Sequence, residues 1–204
     1  MNKEGNLAAL AKQIEICKRC NLYKETTHAV PGEGNPQAKI VFVGEAPGFH
    51  EDSLGRPFVG NAGKYLDLLI SKVGLERDQV FITNVVKHRP PENRDPTPSE
   101  VASCNLWLEA QLKEISPAVV VTLGRWSLAR YLPSAKISEV HGKPVKTQGV
   151  VVLPMYHPAA ALRSGLVSRQ LEEDFMKNQK LLSNPEEVGS LTENFNEDGQ
   201  RSLF

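Results

Sequence analysis

Four short runs of the chain are apolar almost throughout rather than on alternate residues: Ile40–Val43, Val80–Thr83, Ala118–Leu123 and Val150–Leu153. A strand with one wet face alternates, so runs without alternation and rich in Val and Ile belong to strands covered on both faces. Helical patterns lie between them. Leu66, Leu69, Ile70 and Val73 recur at i, i+3, i+4 and i+7, and Gly74 follows as a stop. Thr97-Pro98-Ser99-Glu100 is a capping box with proline at the first helical position, and Trp107, Leu108, Leu112 and Ile115 give the helix after it an apolar face. A helix with Leu7, Leu10 and Ile14 on one side leads up to Cys17, another starts after Gly124, and one covers about Val167 to Leu182. The repeating β-α order predicts a three-layer α/β/α sandwich around a central four-stranded parallel sheet.

One such domain, residues 1–182, uses the apolar content, which is 40% of the chain. From Ser183 the chain turns polar, acidic and unpatterned, and residues 183–204 read as a disordered tail. The 24 Lys and Arg balance the 24 Asp and Glu, which excludes a polybasic coat protein but not an enzyme with a local basic face. The balance is also uneven. Glu186, Glu187, Glu193, Glu197 and Asp198 lie in the tail, leaving the domain modestly basic, with Lys87, Arg89, Arg94, Arg163 and Arg169 near its functional segments. The first residues are polar, and no apolar run approaches the roughly 18 residues of a membrane span, so a soluble, cytoplasmic protein is expected. Three cysteines without a secretory leader are a poor disulfide framework, and a Cys-x-x-Cys pair in a reducing compartment is more often a metal or redox site.

Open parallel sheets bind ligands beyond the carboxyl ends of their strands. There this chain places Gly44-Glu45-Ala46-Pro47-Gly48, Asn84, Gly124-Arg125 and His157-Pro158, with Phe58 close behind in Gly55-Arg56-Pro57-Phe58-Val59-Gly60. Taken singly, the glycine-flanked loop is an ordinary strand-to-helix turn, Asn84 a cap and His157 a satisfied core histidine. Together, a carboxylate, an amide and an imidazole on one rim make a site for a small planar ligand.

These blocks, with Glu51-Asp52, Thr83-Asn84-Val85-Val86-Lys87 and His157-Pro158-Ala159-Ala160-Ala161-Leu162-Arg163, resemble the family 4, iron–sulfur uracil-DNA glycosylases, in family order from about Leu10 to Leu182. The resemblance implies release of uracil from DNA by hydrolysis of the N-glycosidic bond, the first step of base excision repair, on a deoxyuridine flipped from the stack. It implies that Phe58 stacks on uracil, Asn84 reads its polar edge, and Glu51 stands near C5 against the methyl of thymine. His157 would donate to O2 as charge develops on the base. Glu45 would position the water and stabilise the sugar cation, with the backbone at Ala46 assisting where this family has no aspartate. Leu162 and Arg163 would wedge into the DNA and touch phosphate.

The resemblance also implies a [4Fe-4S] cluster on four cysteines. Cys17, Cys20 and Cys104 match three of them, and His88 stands where the usual member has the fourth. Imidazole ligates iron in Rieske centres, so a Cys3His cluster is expected, with structural zinc as the alternative. A superfamily branch that becomes covalently trapped on uracil sites also places a histidine here. It carries an additional histidine-containing basic insertion, however, and no histidine lies between His88 and Cys104 in this chain. Turnover is therefore expected, with trapping or a broader range of deaminated bases as the rival readings. The terminus Gln200-Arg201-Ser202-Leu203-Phe204 resembles the peptide that binds the bacterial sliding clamp, Gln200, Leu203 and Phe204 being its anchors. A monomer in a bacterial cytoplasm, working on uracil-containing DNA, completes the expectation.

Overall fold

The computed structural model describes residues 2–186 and 193–194. The helix α1 (Lys3–Glu15) is capped by the Asn2 side chain. It is followed by β1 (Glu33–Gly34), β2 (Ile40–Gly44), α2 (Phe49–Leu54), α3 (Asn61–Lys72), β3 (Phe81–Asn84), α4 (Pro98–Ile115) and β4 (Val119–Leu123). The second half contains α5 (Arg125–Ala129), α6 (Ile137–Val140), β5 (Val145–Thr147), β6 (Val150–Met155), α7 (Pro158–Ala161), α8 (Gly165–Lys177), α9 (Gln179–Ser183) and β7 (Glu193–Asn194).

The four apolar runs form the parallel centre of the sheet, in the order β3-β2-β4-β6, and every residue of β2, β3 and β4 is buried. Within a run, successive side chains serve opposite layers. Ile40 and Phe42 pack with Leu66, Leu69, Leu171 and Phe175 beneath α3 and α8, whereas Val41 and Val43 pack with Leu7, Ile14, Trp107 and Leu108 beneath α1 and α4. Two apolar layers on one strand leave no residue to be polar, which is why the runs do not alternate.

The sheet is wider than four strands. Antiparallel β1 extends it beside β3 and antiparallel β5 beside β6, and β7 adds to β5. Elements of two or three residues carry no readable period, so the edges are invisible in the sequence. Helix α4 begins as its capping box requires, Glu100 N–H donating to Thr97 Oγ1 (3.3 Å) and Thr97 N–H to the Glu100 carboxylate (2.7 Å). The single helix expected over Val167–Leu182 is instead two, α8 and α9. They are divided at Asn178, whose amide donates to the carbonyls of Gly142 and Asp174.

No described helix is long and apolar enough to cross a membrane. Ser183, where the polar tail was expected to begin, closes α9 and donates to the Val73 carbonyl (3.2 Å). Residues 187–192 and 195–204, with the clamp-like peptide at Gln200, Leu203 and Phe204, lie outside the described residues.

Candidate active site

The carboxyl ends of β2, β3 and β6 open into one cavity of about 400 Å³. Glu45, Ala46, Glu51, Phe58, Asn84, His157 and Arg163 all line it, so the fold gathers seven residues that the sequence spreads over 119 positions. Leu162 is not in the lining; it stands beside Arg163 on the lip, 52% exposed.

Asn84 ends β3 in register with Gly44 at the end of β2. Its side chain is buried, and its Oδ1 has no hydrogen-bond partner among the described residues. A buried amide oxygen without a partner costs on the order of 1–3 kcal/mol, a penalty that a ligand donor relieves. Gly44 is what lets the amide meet the aromatic ring. A Cβ there would lie 2.3 Å from Asn84 Oδ1 and 2.6 Å from the Phe58 ring.

Phe58 has φ +50°, strained for a residue with a side chain, and the surroundings hold it there. A Cβ on Gly63 of α3 would lie 1.8 Å from the Phe58 carbonyl oxygen, so the helix touches its backbone. Arg77 donates to the carbonyls of Pro57 and Phe58 while pairing with Glu33 and Asp67. Glu51 Oε1 accepts from the Val59 and Gly60 N–H groups, each at 2.8 Å, and Oε2 from the Gly48 N–H at 3.2 Å. The Glu51 carboxylate therefore joins the two loops of the cavity, and only its bulk is left to act against a substituent on the ligand.

His157 follows β6 as the N-cap of α7. Its Nδ1 accepts from the Ala159 N–H at 3.1 Å, so in the neutral ring the proton is on Nε2. Desolvation lowers its pKa to about 4, and the opposing charge of Glu51 only partly offsets this. At neutral pH it is an uncharged Nε2–H donor, its ring centroid 5.7 Å from that of Phe58.

Glu45 is half-buried, and its pKa is raised to about 7. Burial is the largest cause, followed by the charge of Asp95, while Arg125 opposes and a hydrogen bond to Asp95 adds to the rise. Asp95 lines the cavity and is ion-paired with Arg125. Sequence reading missed Asp95. It lies in an unpatterned loop 50 positions after Glu45, and a lone loop carboxylate carries no signal of its partner.

Lys87 corrects the sequence reading. It was expected near the DNA-facing surface but is fully buried. Its Nζ donates to Thr83 Oγ1 (2.6 Å), the Asn84 carbonyl (2.8 Å) and Gln111 Oε1 (2.7 Å), and burial lowers its pKa to about 8. It braces the strand end that carries Asn84. Arg94 lines the cavity but is bound bidentate to Glu100, while Arg163 and Arg169 are exposed as expected.

Behind the sheet end, Cys17, Cys20 and Cys104 enter one apolar cluster with Trp107. Each sulfur has an N–H donor: Trp107 Nε1–H to Cys17 Sγ (3.2 Å), the Leu22 backbone to Cys20, and the Lys87 backbone to Cys104. Burial raises the Cys20 thiol and pushes Cys104 up to about 11, and the neighbouring sulfurs raise these two further. Donors aimed at sulfur favour thiolates, and close thiolates need a cationic group among them, so these residues fit a thiophilic metal centre. His88 is buried, held neutral by desolvation, and borders a second cavity together with Cys17. Among the described residues no three His, Cys, Asp or Glu side chains converge on a point that could hold a single metal ion.

Comparison with known proteins matches this architecture to one family. The family model of the Uracil DNA glycosylase superfamily matches residues 31–178. The type-4 uracil-DNA glycosylase of Sulfurisphaera tokodaii is 48% identical over 88% of this chain and 86% of its own. That of Archaeoglobus fulgidus is 46% identical over 84% and 91%, and that of Thermotoga maritima 41% over 88% and 96%. The chain belongs to the uracil-DNA glycosylase superfamily and, within it, to the type-4 enzymes.

Proposed function

We infer that the cavity hydrolyses the N-glycosidic bond of deoxyuridine in DNA, releasing uracil and leaving an abasic site for base excision repair. The observation that carries this is the Asn84 amide, its buried Oδ1 without a partner among the described residues, beside the Phe58 ring and the His157 Nε2–H donor. A flipped uracil stacks on Phe58 and pairs its carbonyl and N–H edge with Asn84, whereas cytosine offers a donor where uracil has an acceptor. The Glu51 side chain, fixed by three backbone donors, excludes the methyl of thymine by its bulk.

As the C1′–N1 bond breaks, its electron pair leaves on uracil and charge collects at O2. His157 meets that charge with a hydrogen bond from its neutral ring, because an imidazolium with a pKa of about 4 has already lost its proton at neutral pH and has none to transfer. Ionised Glu45 stabilises the positive sugar and accepts the proton of the water that adds to C1′. The backbone at Ala46 helps to hold that water. Leu162 fills the gap left by the flipped nucleotide, and Arg163 pairs with phosphate.

Cys17, Cys20, Cys104 and His88 would hold a [4Fe-4S] cluster, and through it these residues would tie the segment after α1 to α4 and the end of β3; hydrolysis requires no redox step. Protein purified without oxygen should be brown with a broad visible absorption band; colourless, zinc-replete, active protein would overturn this assignment. The enzyme is a cytoplasmic monomer, and Gln200, Leu203 and Phe204 tether it to the bacterial sliding clamp. Deleting the last five residues should abolish clamp binding and leave excision on short oligonucleotides unchanged; clamp binding that survives the deletion refutes the tether.

One assay separates this function from its rivals. Duplexes carrying U·G, U·A, T·G and hypoxanthine·T are incubated with the protein, and the products are resolved for released base and for SDS-stable adducts. Release of uracil without adducts is expected. Adducts would indicate the trapping reaction, and release of hypoxanthine a broader specificity. Against trapping stands the cavity itself, in which His157 is the sole histidine among the described lining residues.

A further inference from the structure

Phe49 is 61% exposed, although an aromatic ring gains nothing from water. It stands at the start of α2, directly after Gly48 of the cavity lining. The Arg89 guanidinium lies 5.2 Å from its ring centre, and the His50 ring supports it edge-on at 5.5 Å. Arg89 is fixed in turn, since its Nε donates to Asn93 Oδ1 at 2.7 Å, and Asn93 and Pro90 line the cavity. A pre-set aromatic–arginine pair thus forms part of the cavity mouth. Leu162 and Arg163 form another part of that mouth, again an exposed apolar side chain beside an arginine.

We propose that Phe49 and Arg89 form a stacking lip that holds a base adjacent to the flipped deoxyuridine. The proposal rests on uracil excision and adds a contact outside the uracil pocket. A nucleotide leaving the stack deprives its neighbour of a stacking face. An exposed phenylalanine supplies one without regard to sequence, because every base has a π-face. The arginine beside it adds a cation to the same face and meets the adjoining phosphate. Single-stranded DNA has the most to gain, having no opposite strand to keep that neighbour stacked.

The test uses the full-length protein and single-stranded oligonucleotides carrying one uracil, with 2-aminopurine on its 5′ or 3′ side. Excision is followed under single turnover at rising enzyme concentration. For Phe49→Ala the half-saturating concentration should rise about tenfold, from the loss of one base–aromatic contact. Its maximal rate should stay within twofold of wild type, and Phe49→Trp should restore the half-saturating value. Wild type and Phe49→Trp should quench one of the two probes, which should brighten with Phe49→Ala because its neighbour has left the stack. Unchanged saturation and quenching in Phe49→Ala would overturn the lip, as would wild type that quenches neither probe. Wild type that excises no uracil would overturn the underlying function instead, so the two failures are distinct.

Discussion

Phe58, Asn84 and His157 stand on one wall of the cavity, and Glu45 and Asp95 on another, with Arg125 outside the lining but paired with Asp95. The first wall is built from neutral groups, Asn84 and His157 at strand ends and Phe58 in the loop before α3. Its positions are set by Gly44 and Gly63, which admit the close approaches, and by the Glu51 and Arg77 contacts that hold the loops. The second wall is built from loops, is partly exposed, and carries a carboxylate, Glu45, whose pKa is set by burial and by the charges of Asp95 and Arg125. A neutral, rigid wall suits recognition of a planar base, where misplacement by an ångström is costly. A charged wall suits the sugar and water, where the protonation state decides the rate.

The largest expected effects lie on the neutral wall. Asn84→Ala and His157→Gln should each lower kcat/KM for uracil release by about 10²–10³-fold, the loss typical of a donor aimed at developing charge. Near-normal release by a folded double variant would remove both from the mechanism. Gly44→Ala tests whether rigidity itself matters. Its methyl would displace the Asn84 amide or the Phe58 ring, and a loss of about 10²-fold is expected with the fold retained by circular dichroism. Activity close to wild type would show that this wall adapts.

The charged wall should respond through pH. Ionised Glu45 is the active form, so activity should rise with pH through about 7. Asp95 raises this pKa, and Asp95→Asn should move the limb to lower pH; Arg125 lowers it, and Arg125→Met should move the limb to higher pH. Neither variant changes the neutral wall, so the pH-independent maximum should fall far less than in Asn84→Ala. Limbs moving in the same direction in both variants would break the assigned coupling. Smallest of all, Thr97→Ala should destabilise the fold by about 1 kcal/mol through loss of the α4 cap, read as a lower Tm.

Much of the neutral wall was legible in the chain. The unalternating runs at Ile40, Val80, Ala118 and Val150 located the parallel strands, and strand ends are where such sheets bind ligands. Asn84 and His157 followed from that position alone and Phe58 from the glycine-flanked block close behind, and the resemblance added Glu51. The anchoring of the Glu51 carboxylate was not legible, because its three backbone donors come from two loops whose approach has no linear signature. Lys87 was placed outside for a similar reason. A lysine in a sequence reads as surface, and only the packed core shows Thr83, Gln111 and the Asn84 carbonyl waiting for its ammonium.

The sequence by itself determined the order of strands and helices, the helix starts at Asn2 and Thr97, and the residues that end on the reactive rim. These depend on near neighbours, through side-chain period, capping and turn chemistry. Tertiary structure decided the narrow edge strands, the division at Asn178, the burial of His157 and the pairing of Glu45 with Asp95. Those depend on groups far apart in the chain, which interact only after the core has closed and excluded water. Desolvation and mutual charge, the two forces that bring His157 to about 4 and Glu45 to about 7, do not exist until then.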